Sequence, residues 1–154
     1  MPDHSAAQAG QTRVSAHFPA NPISAGRARR MVARACRDWD VPHVSVDAEL
    51  VVTELVENAI RHAGTGCDID IELFGGELRI SARDGSTSPP RRVYPDPTRP
   101  GGRGLLLIEK LCRDWGFELM DHGKRVWTVL SAGGPRHVAN IGRVGSSFTV
   151  RKHT

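Results

Sequence analysis

Glu54 and Asn58 stand four residues apart in the run Glu54-Leu55-Val56-Glu57-Asn58-Ala59-Ile60-Arg61-His62-Ala63. On a helix that spacing puts both side chains on one face, one turn apart. Asparagine is a poor mid-helix residue, because its amide competes for backbone hydrogen bonds. A carboxylate and an amide so placed offer oxygen ligands to a hard cation, or a base beside a ligand. Magnesium favours such oxygens, keeps waters and shares its shell with substrate phosphates. Two solvated surface residues would show the same spacing, so the pair needs support from elsewhere. Asp84-Gly85 places a carboxylate at the end of an alternating segment. It suits a hydrogen bond from an exocyclic amine such as adenine's, and equally a plain strand-end turn. Gly101-Gly102-Arg103-Gly104-Leu105 runs straight into an apolar helical pattern. Glycines let backbone N–H groups approach an anion, and a helix N-terminus adds positive potential. The phosphate loop ending in Gly-Lys-Ser/Thr is absent, and no strand precedes the glycines as a dinucleotide fingerprint requires.

The elements that must position these residues follow from periodicity. A first helix starts near Ser24 as N-cap and shows one stripe of Ala28, Met31, Val32, Ala35, Cys36 and Trp39. Asp40-Val41-Pro42 breaks it. Ser45 caps a second helix that runs to about Ala63 and stops at Gly64, with a core side of Ala48, Val51, Val52, Leu55, Val56, Ala59 and Ile60. Residues 67–73 alternate strictly and predict a strand with one buried face. Gly75-Gly76 turns the chain into a return strand through Leu78, Ile80 and Ala82 that ends at Asp84-Gly85. Residues 86–103 are rich in Pro, Arg, Ser and Gly and carry no period, as a functional loop does. A third helix spans Leu105 to Arg113 with Trp115-Gly116 at its end, followed by a strand pair over 117–120 and 126–130 turned at His122-Gly123-Lys124. The order α-α-β-β-loop-α-β-β predicts an α+β fold, a two-layer sandwich whose mixed, mostly antiparallel sheet carries its helices on one face. Residues 1–16 read as a flexible leader, 17–130 as the folded domain, and 131–154 as a basic, Gly-rich tail.

Composition narrows the classes. The chain has 154 residues, 39% hydrophobic and 25% charged, which excludes disorder throughout and fits one domain. Lys and Arg number 21 against 17 Asp and Glu, a formal net charge of +4. The arginines are spread over helix faces and loops with no block of about five like charges, so a solvated surface is expected and nucleic acid is not. No apolar run of about eighteen residues is present, so no membrane span is expected. Met1 to Gln11 lacks an apolar core and is not a secretory signal. Cys36, Cys67 and Cys112 are far apart, odd in number and free of any Cys-x-x-Cys, so they read as small buried hydrophobes in a reducing cytoplasm. Trp115 and Trp127 read as core or sheet-face residues.

Three weak signals in a fixed order carry more than any one of them. ELVxNAxRHA from Glu54, a hairpin ending in Asp84, GGRGLxLIxxLxxxWG from Gly101 and GKxVW from Gly123 together resemble the GHKL (gyrase/histidine-kinase-like) ATPase superfamily. Within it the resemblance is to small single-domain ATP-binding proteins of the anti-sigma-factor serine/threonine kinase type, and it covers His17 to Leu130. The resemblance implies ATP and Mg²⁺ as ligands. It implies Glu54 as the acid that activates the attacking hydroxyl, Asn58 as magnesium ligand, and Arg61 and His62 near the phosphates or capping the helix. Asp84 and Gly85 would form the adenine box, Gly101, Gly102, Arg103, Gly104 and Leu105 the phosphate loop, 86–101 a short nucleotide lid, and Lys124 a further nucleotide contact. The expected function is transfer of the γ-phosphate of ATP to a serine or threonine of a small antagonist protein, with control of a sigma factor. Expected partners are that anti-sigma-factor antagonist, the sigma factor, and a second copy in a homodimer. Two positions depart from the family: Ser86 stands where Asp-x-Gly places glycine, and Arg125 where Thr often follows Gly-Lys. These support an alternative, a non-catalytic or weakly ATP-binding module that sequesters its partner as an anti-sigma factor does.

Overall fold

Alternation of side-chain type builds the sheet before anything else does. A computed structural model describes residues 11–86, 104–133 and 151–152; for Gln11, Gly104, Leu105, Arg151 and Lys152 it describes the backbone alone. Strands β1 (Gln11–Phe18), β2 (Cys67–Phe74), β3 (Glu77–Asp84), β4 (Asp114–Met120), β5 (Gly123–Ser131) and β6 (Arg151–Lys152) form one sheet in the order β1-β2-β3-β5-β4-β6. The first five pair antiparallel and β6 joins β4 in parallel. The sheet is therefore mixed and mostly antiparallel, in the α+β layout that the order of elements predicts.

Register fixes which residues share a face. Ile71 lies opposite Ile80, Ile69 opposite Ala82, and Ile80 opposite Thr128. All five are buried, and Thr128 hides its hydroxyl by donating to the Ile80 carbonyl at 2.7 Å. Helices α1 (Ser24–Asp38), α2 (Ser45–Asn58) and α3 (Gly104–Leu111) make the second layer, with α2 packed between α1 and α3 and resting on β3 and β5. Val32, Val51, Val52, Val56 and Ile108 close the core from that side. Each such side chain contributes about 1.5–3 kcal/mol relative to exposure. The opposite sheet face is polar: Asp70, Glu72, Arg79, Ser81, Glu118, Arg125 and Trp127 line a shallow hollow of about 290 Å³. Arg13 donates to Asp70 at 2.8 Å there. Trp127 thus lies on the sheet face and Trp115 is half-buried against the core.

Five local expectations are corrected. Residues 11–16, expected in the leader, belong to β1, which pairs with β2 from Gln11↔Phe74 to Phe18↔Cys67. Their alternation is diluted because Ala16 is small and Thr12, on the same side of the strand, is polar and exposed. Neither Ser24 nor Ser45 caps its helix: Ser24 sits in the first turn and donates to the Pro19 carbonyl at 2.6 Å, while Ser45 Oγ reaches Glu49 at 3.2 Å. Asp114, Trp115 and Gly116 belong to β4, and α3 stops at Leu111. Gly116 is there because the Trp127 indole occupies the place of its missing side chain, 2.5 Å from where a Cβ would stand. The β4–β5 turn is Asp121-His122, with Gly123 and Lys124 already paired in β5. Residues 151–152, expected in a loose tail, form β6. Among the described residues no helix is long and apolar enough to cross a membrane.

Candidate functional site

Helix α2 buries Ala48, Val51, Val52, Leu55 and Val56 against the sheet, so Glu54 and Asn58 fall together on its half-buried flank. That is the one-face placement their spacing dictates. Glu54 Oε2 is sealed from solvent and has no hydrogen-bond partner among the described residues. Burial pushes the Glu54 carboxyl above the ordinary carboxylate value; the charge of Glu57 adds to the rise and Arg61 opposes it. A sealed, unpartnered carboxylate oxygen is costly, and such groups concentrate where chemistry is done. Asn58 is the last residue of α2 before the chain widens into a π-helical turn, Ala59–Ala63, which ends at Gly64 with φ +63°. Single π turns interrupt regular hydrogen bonding and are frequent at functional sites. Arg61 and His62 are exposed on this turn, and Arg61 pairs with Glu57 at 2.9 Å.

Asp84 and Lys124 meet where the sheet rim faces the helix layer. They are register partners on β3 and β5, and Lys124 Nζ lies 3.4 Å from Asp84 Oδ2 with both side chains about 4% exposed. A buried pair of this kind is held by its mutual charge; removing one partner costs about 3–5 kcal/mol, because the other charge stays buried. The approach depends on Gly123, since any Cβ at that position would run into the Asp84 carbonyl oxygen. Asp84 Oδ1 accepts the Ser86 N–H at 2.8 Å, and Thr65 Oγ1 accepts the Gly85 N–H at 3.3 Å. Ser86, which replaces a glycine of the expected box, therefore supplies its backbone N–H to the carboxylate. Cys67 is the partner of Asp84 on β2, and burial together with the Asp84 charge lifts its thiol to about 11.

The structure brings Asp84 and Lys124 into contact and lays α2, with Glu54 and Asn58, over the strand that carries Asp84. The π turn also packs on β3. Gly104 and Leu105 open α3, which packs beside α2. Gly101, Gly102 and Arg103, and the lid from residue 87 onward, lie outside the described residues. Sequence reasoning missed Thr65 and the direct pairing of Asp84 with Lys124; the second is visible only in the register of two strands forty residues apart. Among the described residues no three His, Cys, Asp or Glu side chains cluster as a cage for a metal ion. The amide oxygen of Asn58 is of the kind that suits a magnesium ion whose remaining ligands are water and phosphate.

No curated protein matches the chain. A solved structure of the RsbU and RsbW domains of Rv1364c from Mycobacterium tuberculosis shares the fold, with a TM-score of 0.62 at 19% identity, over 80% of this chain. The match spans 33% of that longer chain. The family described as histidine kinase-like ATPase domain matches residues 18–130, from the end of β1 to the end of β5. With its helix-on-sheet architecture, its half-buried Glu54–Asn58 flank and this match over most of its length, the chain belongs to the histidine kinase-like ATPase domain family.

Proposed function

We propose that the protein is an ATP-binding regulatory kinase that transfers the γ-phosphate of ATP to a serine or threonine of a small antagonist protein, and that it controls a sigma factor in the cytoplasm. The observation that carries the reading is the sealed, unpartnered Oε2 of Glu54, one turn from Asn58. A carboxylate held without a partner is poised to take the proton of an incoming hydroxyl. Asn58 offers its amide oxygen to magnesium, which when bound neutralises charge on the phosphates. Asp84 accepts from the base, with Lys124 beside it, and Gly85 shapes the turn. In this reading Gly101, Gly102, Arg103, Gly104 and Leu105 supply backbone N–H groups and positive charge to the phosphates, as do Arg61 and His62 on the turn that follows Asn58. The RsbW domain named in the neighbouring structure supports a partner of the anti-sigma kind, and a homodimer is part of the same reading.

The test is calorimetry with Mg-ATP, followed by transfer from γ-labelled ATP to a small protein that co-purifies with the chain. Heat of binding and a ligand-dependent rise in melting temperature are expected. Absence of both at millimolar Mg-ATP overturns the reading. A second reading, a non-catalytic or weakly ATP-binding module that sequesters its partner, is favoured by one observation: Asp84 is already paired with Lys124. Binding of Mg-ATP without any phosphate transfer is the outcome that selects it.

A further inference from the structure

We infer that Lys124 makes the base-reading end of the site tolerant, so that it takes 6-oxopurine nucleotides such as GTP as well as ATP. The inference rests on the proposed nucleotide-binding function and deepens it. A lone buried carboxylate selects a 6-aminopurine, because it accepts the exocyclic N–H. Against a 6-oxopurine it would set one acceptor facing another, with no donor for either. Sites that reject an analogue by leaving buried polar groups unpaired reach factors of about 10⁴. Asp84 is not such a lone carboxylate. Lys124 Nζ stands 3.4 Å from its Oδ2, inside the protein, and the Ser86 N–H occupies part of Oδ1.

The pair therefore shows a donor and an acceptor side by side. An ammonium carries three N–H donors and a carboxylate about four lone-pair sites, so each keeps capacity after they have met. Adenine presents an amine donor next to a ring-nitrogen acceptor; guanine presents a carbonyl acceptor next to a ring N–H donor. Adenine would place its amine on Asp84 and its ring nitrogen on Lys124. Guanine would place its carbonyl on Lys124 and its ring N–H on Asp84. Net charge matters equally: the two side chains cancel, so a carbonyl oxygen meets no unbalanced negative charge. The arrangement is rigid, because Asp84 and Lys124 are register partners in two interior strands and Gly123 holds the backbones close.

Titration of the whole chain with Mg-ATP and with Mg-GTP in a calorimeter tests this. The two dissociation constants are expected to agree within about tenfold, a difference of one decade in affinity. Lys124→Arg, which keeps the charge, should hold that ratio. Lys124→Met should weaken Mg-GTP relative to Mg-ATP by about a hundredfold or more, which a merely structural role for Lys124 would not do. A wild-type preference for ATP beyond tenfold overturns the inference, and so does an unchanged ratio in folded Lys124→Met. Because Lys124→Met leaves Asp84 buried without its partner and can unfold, the wild-type ratio decides on its own. Binding of ATP alone sinks only this inference; binding of neither nucleotide sinks the proposed function with it.

Discussion

Glu54 ties reactivity to stability in one side chain. Its carboxyl is raised because burial disfavours the charged form, so between the ordinary and the folded value the folded state binds more proton than the unfolded chain does. Its stability contribution is full below the ordinary value of 4.5 and declines as pH rises through the higher folded value. Glu54→Gln removes the charge and keeps the shape. The variant should lose phosphate transfer by roughly a hundredfold or more, as expected for a general base. Its melting temperature should fall less than that of the wild type as pH rises from the ordinary value of 4.5 through the higher folded value. Transfer at the wild-type rate would remove Glu54 from the reaction, and parallel melting curves would show that its burial carries no cost. The same residue shows how far sequence can be read. The four-residue spacing to Asn58 was legible as a shared helix face, because helix geometry is local. That Oε2 would be sealed was not, because sealing depends on the packing of the layers around α2.

Elements here are placed by glycines whose reasons lie in other strands. Gly123 has no room for a methyl group because the Asp84 carbonyl stands in its way, whereas Gly64 has open space but a left-handed φ of +63°. Gly123→Ala should destabilise by roughly 1–3 kcal/mol or more through overpacking, and would push Lys124 from Asp84. Gly64→Ala should cost about 1–2 kcal/mol from backbone conformation alone. Urea denaturation of both variants checks the order; a milder effect at Gly123 would mean that β5 can shift outward. The helix stop at Gly64 was legible, since glycine after a helical run is a local signal. The extents of β4 and β5 were not: Trp115-Gly116 looks like a helix end until Trp127 is known to lie across Gly116. β1 escaped notice for a related reason. Its inward residues Val14 and Ala16 gain their meaning only from Ile71 and Ile69 opposite them.

At the scale of the molecule, one sheet face is sealed by helices and the other meets water. Ile80 and Arg79 are neighbours on β3 with opposite fates, the first fully buried and the second exposed. Ile80→Ala should cost about 2–5 kcal/mol, and Arg79→Ala should stay within about 0.5 kcal/mol. Comparable losses at both positions, read from urea midpoints, would contradict the two-layer assignment. The layering was legible from the order of elements and from strict alternation over 67–73, because a half-buried sheet must alternate. Strand order was not, since nothing local brings β5 to β3 ahead of β4. That order has a kinetic meaning. Asp84 and Lys124 sit on β3 and β5, each hydrogen-bonded to a neighbour on both edges. Amide protons in such interior strands exchange with deuterium only when the whole domain opens. Whatever engages that buried rung meets side chains already held in place, so little chain entropy is lost there.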